Sequence, residues 1–147
     1  MLHPALASSC TCVGTLPLSI LLLSDDANYP WTLLVPARID IQEIYQLSKP
    51  DQNQLLDEST ALADAMQVLF AADKLNVATI GNKVPQLHVH HIARYRTDRA
   101  WPDPVWGAFE SVARTDTETR RIVEDLRQAM TDRGMPWSPT GQLPLTQ

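Results

Sequence analysis

The chain has 147 residues, 44% of them hydrophobic and 20% charged, which suits one globular domain with a real core and excludes extended disorder. Its net charge of −5 argues against general nucleic-acid binding, because that needs a basic footprint to displace counterions from phosphates. Cys10 and Cys12 are its only cysteines, too close in sequence to bridge well and at most half a metal site, so they read as reduced thiols.

The apolar run from Pro17 to Leu23 is too short to span a bilayer, and no basic stretch opens it, so a cytoplasmic protein without membrane contact is expected. Leu16 to Ser24 reads as a strand closed by the acidic turn Asp25-Asp26-Ala27-Asn28. Thr32 to Val35 reads as its hairpin partner, ended by Pro36. Ile41 to Leu47 suggests a short helix. Ser48-Lys49-Pro50-Asp51 then has the form of a capping box that opens a longer helix running to about Lys74. In it Leu55, Leu62, Met66, Leu69 and Phe70 recur at helical spacing, while Asp57, Glu58, Gln67 and Asp73 point elsewhere.

Leu75 to Ile80 is a further strand, and the turn at Gly81-Asn82-Lys83 is too short for anything but antiparallel pairing with the histidine-rich stretch after Pro85. Thr117 to Met130 forms an amphipathic helix with Ile122, Val123, Leu126 and Met130 on its apolar stripe. The tail after Gly134, with Pro136, Pro139 and Pro144, is irregular. The sum is an α+β fold with an antiparallel sheet. Residues 1–110 form its main body, and 111–147 add a helix and a Pro-rich tail to the same domain.

The chemistry concentrates in Gln86-Leu87-His88-Val89-His90-His91-Ile92, which holds three of the four histidines; the fourth is His3. If this stretch is a strand, Gln86, His88, His90 and Ile92 share one face, with roughly 7 Å between successive positions, and His91 lies on the other. Three polar groups in a row are costly to bury unpaired, so that face is expected to meet a ligand. The histidines can be structural. They can also offer two metal ligands, but the ten residues after His90 supply no further ligand except Asp98. Or they can be nucleophilic, one neutral imidazole attacking phosphorus while the second handles a phosphate oxygen or a proton.

Gly81-Asn82-Lys83-Val84-Pro85-Gln86-Leu87-His88-Val89-His90-His91-Ile92-Ala93-Arg94 resembles the signature of the histidine triad (HIT) superfamily, a turn and then three alternating histidines. The likeness extends from the hairpin at residue 16 to the Trp-Pro loop at residues 101–107, and is strongest to bacterial HIT-like proteins of the diadenosine tetraphosphate hydrolase type. It implies an antiparallel sheet of about five strands with two main helices, a homodimer, and a nucleotide hydrolase or nucleotidyl transferase. Such an enzyme would act on the α-phosphate of a dinucleoside polyphosphate or nucleoside phosphoramidate through a covalent nucleotidyl-histidine.

Matched residue by residue, His88 is the implied nucleophile and His90 the group beside the phosphate oxygens. Gln86 departs from the pattern by standing where the first histidine belongs. Asp26, rather than Asp25, falls where the family holds ribose, and Asn76, Asn82, Lys83 and Val84 fall near the phosphates. Trp31, Trp101 and Trp106 read as core or interface. The resemblance requires no cofactor and no metal, although magnesium can accompany a polyphosphate. Because Gln86 cannot carry a proton at neutral pH, a nucleotide-binding or sensing protein of weak activity is the alternative.

Overall fold

The computed structural model describes residues 1–139. Its elements are α1 (Pro4–Ser9), β1 (Cys10–Thr15), β2 (Ser19–Ser24), β3 (Trp31–Pro36), a 3-10 turn (Ile44–Gln46), α2 (Lys49–Phe70), β4 (Lys74–Ala78), β5 (Val89–Arg94) and α3 (Asp116–Asp132). The strands form one antiparallel sheet in the order β1-β2-β3-β5-β4.

Strand alternation gives the sheet two different faces. Leu21, Leu23, Leu34, Val89 and Ala93 point to one side, where they join Leu55, Leu62 and Met66 of α2 and Leu126 and Met130 of α3 in the main core. Leu22, Leu33 and Val35 point to the other and are covered by Leu6 of α1. Beside them Ile92 packs with Tyr29, Ala100 and Val105. His88 and His90 lie on this second face, which has only a short helix and loops for cover.

Most expected elements are present with shifted ends, and each shift has a local cause. Ser48 does cap α2, accepting the Asp51 N–H, but the Asp51 carboxylate turns away to Arg38 at 2.7 Å instead of closing a box. The helix stops at Phe70, not Lys74, because Ala71 takes a left-handed conformation with φ of 48° and Lys74 already pairs with Arg94. Glu58 corrects the expected polarity of α2: it is fully buried and accepts the Leu18 N–H at 2.7 Å, with burial pushing its carboxyl above the usual range. The stretch at 41–47 makes a single 3-10 turn.

The histidine strand runs over 89–94 instead of 86–92, since the ladders from β3 and β4 reach no further than Val89 and His90. Gln86 to His88 approach it outside the ladder, with the Leu87 N–H donating to the Ile41 carbonyl at 2.9 Å. Two elements, α1 and β1, were not expected. In β1 a Cβ at Gly14 would meet the Ser138 carbonyl at 2.9 Å, and Thr15 exchanges backbone hydrogen bonds with Ser138. The expected irregular tail is described to Pro139; its remainder, with Pro144, lies outside the described residues.

Candidate active site

Each histidine is fixed in one tautomer by a neighbour that can play only one hydrogen-bonding part. The Nδ1 of His88 lies 2.6 Å from the Gln86 carbonyl. A carbonyl only accepts, so Nδ1 carries the proton and Nε2 keeps its lone pair. His90 is set the opposite way. The Trp31 indole donates to His90 Nδ1 at 2.9 Å, so the His90 proton is on Nε2. The two rings meet edge to face with centroids 4.8 Å apart, and each residue keeps 7% of its surface exposed.

His90 is enclosed by aromatic rings, with Trp31 at 5.5 Å and Trp106 at 5.3 Å between centroids. Burial, and then the charges His88 and His91 would carry, push the His90 imidazole down to about 3. It is therefore a neutral N–H donor throughout the physiological range. His91, on the helix-covered face, is fully buried. Its Nδ1 faces the Val89 carbonyl at 3.2 Å, which leaves Nε2 to accept from Ser59 at 2.7 Å, and burial lowers it to about 4.

The other expected residues occupy varied positions around this pair. The Gln86 side chain turns to the N-terminal segment, accepting the His3 N–H at 2.8 Å and donating to the Met1 carbonyl at 3.2 Å. Asn76 accepts from Arg94 at 2.8 Å rather than bonding either histidine. Arg94 is itself buried, paired with Asp98 at 2.8 Å and flanked by the Tyr29 and Trp101 rings. Asp26 uses one carboxylate oxygen to accept from the backbone of Asn28 and Val112, at 2.9 and 3.1 Å. Asp25 accepts from Thr11 at 2.9 Å.

Both aspartates line a cavity of about 510 Å³ together with Ser8, Ser24, Ser111 and Trp31, so a polar recess abuts the residue that holds His90. Asn82 and Lys83 are exposed on the turn that Gly81 opens with φ of 67°, and neither hydrogen-bonds a histidine. Val84 packs on the Leu22–Leu33 cluster.

Trp31 and Trp106 are the residues that sequence reasoning set aside and the fold brings to the histidines. The signal for Trp31 was its two-residue spacing from Leu33, but the β3–β5 register that carries it to His90 is a long-range pairing. Among the described residues no group of three or more His, Cys, Asp or Glu could hold a metal ion.

The HIT domain family model matches residues 6–97, well over half of the chain. The chain belongs to the HIT domain family. Solved relatives agree along nearly their whole length. A histidine triad protein from Bradyrhizobium japonicum is 46% identical, with 88% of this chain and 96% of that one covered and a TM-score of 0.86. One from Marinobacter aquaeolei is 43% identical, covering 90% and 96% with a TM-score of 0.87. One from Sinorhizobium meliloti is 36% identical, covering 88% and 96% with a TM-score of 0.86. Comparison with curated proteins gives no match. Membership of the HIT family suggests nucleotide binding with hydrolase or transferase chemistry. No helix among the described residues is long and apolar enough to cross a membrane.

Proposed function

We propose that this HIT protein is a nucleotidyl hydrolase or transferase in which His88 is the nucleophile. The observation that carries the reading is the 2.6 Å contact between His88 Nδ1 and the Gln86 carbonyl, which leaves a lone pair on the Nε2 of a partly accessible imidazole. In the first step that lone pair attacks the α-phosphorus, and the bond to the leaving group breaks with its electron pair departing on that group. Water then attacks the same phosphorus and loses a proton to solvent, and the P–N bond returns its pair to Nε2. His90, a fixed Nε2–H donor, faces the non-bridging oxygens as charge builds, a contribution on the order of 10²–10³ in rate for one such donor. The buried Trp106 indole N–H has no partner among the described residues and is a further donor beside His90.

The substrate is a nucleoside phosphate derivative, a dinucleoside polyphosphate or a phosphoramidate. Its nucleoside enters the cavity lined by Asp25, Asp26 and the serines. Asp26 reaches the ribose with the carboxylate oxygen that does not hold Asn28 and Val112. Asn76 acts on the site by way of Arg94, and Asn82, Lys83 and Val84 border it from the turn. The chemistry needs no cofactor or resident metal, and magnesium enters only with a polyphosphate. We further propose a cytoplasmic homodimer that binds neither nucleic acid nor membrane, joined through the edge strand β4, where Val77, Ile80 and Leu56 of α2 are about half exposed or more.

The test is turnover of both substrate types by wild type and by His88→Ala. Turnover is expected to fall by more than about 10³-fold in the variant while nucleotide still binds. Binding by wild type with no product from either substrate would favour the sensing alternative that Gln86 raises.

A further inference from the structure

Resting on that reading, we infer that His3 contacts the leaving half of the substrate, and that the site is built for leaving groups that depart as stable oxyanions, as from a phosphoanhydride. An extended backbone presents the C=O of one residue and the N–H of the residue two further on, and a primary amide matches that pair with one donor and one acceptor. Gln86 does this: Nε2 meets the Met1 carbonyl and Oε1 meets the His3 N–H. An imidazole at position 86 could not span both groups. The departure from three alternating histidines is thus a clamp that ties the segment carrying His3 to Gln86, two residues before His88.

The His3 ring is oriented as well as seated. Its Nδ1 accepts the Ala5 N–H at 3.2 Å, so the proton sits on Nε2, which has no partner among the described residues. His3 and Gln86 line a cavity of about 340 Å³ with Arg38, Asp40 and Gln42. Arg38 is already paired with Asp51, and Asp40 is on the same lining, so the cavity exerts little net cationic pull. Selection there falls on hydrogen bonding, and His3 Nε2–H is the uncommitted ring donor.

The leaving-group class is set by where the protons are. His88 uses its lone pair on phosphorus, His90 has its Nδ1 held by Trp31, His3 has its Nδ1 held by Ala5, and Gln86 is an amide. Each donor can share its proton in a hydrogen bond, and none is set to give it up. When a phosphoanhydride breaks, the electron pair goes to a phosphate oxygen that is stable without a proton. When a phosphoramidate breaks, the departing amine must acquire one.

The test compares a dinucleoside polyphosphate, supplied with magnesium, and the unsubstituted phosphoramidate of the same nucleoside, whose ammonia leaving group is too small to reach His3. Wild type is expected to favour the polyphosphate in kcat/KM by at least about tenfold. His3→Asn, which keeps a good N-cap for α1 but removes Nε2, should lose ten- to a hundredfold on the polyphosphate and under about threefold on the phosphoramidate. An equal loss on both would show a purely structural His3 and overturn the inference, as would a wild type that prefers the phosphoramidate. Either result leaves the His88 reading standing. Absence of turnover on both substrates in wild type would remove that reading and this inference together.

Discussion

At the residue scale the site depends on tautomers, and Trp31 is the residue that sets the one at His90. Trp31→Phe keeps an aromatic ring and removes the N–H, so His90 is free to move its proton to Nδ1. The expected outcome is a ten- to a hundredfold loss of kcat with mixed His90 tautomers in ¹⁵N NMR, where wild type shows Nε2–H alone. An unchanged tautomer would remove Trp31 from its positioning role. The same burial destabilises the fold in acid. His90 and His91 titrate at about 3 and about 4 in the folded chain against 6.5 for free imidazole. Below pH 6.5 the unfolded chain therefore binds protons that the folded chain refuses, and stability falls as pH drops from 6.5 through 4. Urea unfolding at a series of pH values should show this decline; a flat profile would contradict the burial of both rings.

At the element scale the buried carboxyl of Glu58 makes the opposite prediction. Its folded value lies above its unfolded one, so the stability tied to its protonated form is complete below about pH 4.5 and is lost as pH rises through the raised value. Glu58→Gln retains an acceptor for the Leu18 N–H without burying a charge. Its stability relative to wild type should rise as pH increases above about 4.5, read by urea unfolding at a series of pH values. Leu62, fully buried in the core, should cost roughly 2–5 kcal/mol as Leu62→Ala.

These elements also show what was legible in the sequence. Helix periodicity located α2 and α3, and the stripe of Ile122, Val123, Leu126 and Met130 is buried as expected. Alternation separated His91 from His88 and His90. The polar, Gly-containing β1 was not legible because its place rests on pairing with Ile20–Ser24 and on a close approach to Ser138, neither of which its own residues signal. Glu58 looked like a surface residue for the same reason: its partner, the Leu18 N–H, is forty residues away. Within the site, the histidine row was visible and its settings were not, since Trp31 reaches His90 only through the β3–β5 pairing and the Gln86 side chain is held by the distant N-terminal segment.

At the scale of the whole molecule, the HIT fold separates stability from chemistry by sheet face: two long helices bury one side, while on the other α1 and loops cover His88 and His90, leaving each 7% exposed. The exposed apolar strip at Leu56, Val77 and Ile80 beside the β4 edge should pair two copies. Light scattering is expected to give a dimer for wild type and a monomer for Val77→Glu with Leu56→Glu; a monomeric wild type would refute the proposed joint. The central claim is the bond between His88 and phosphorus. Substrate labelled in its α-phosphate should be mixed with the protein and quenched in alkali, which preserves P–N linkages, and the label located by peptide mass spectrometry. The expected result is a nucleotidyl group on His88 that disappears in His88→Ala. Turnover with a label on another residue, or with no covalent label at any time point, would contradict the account.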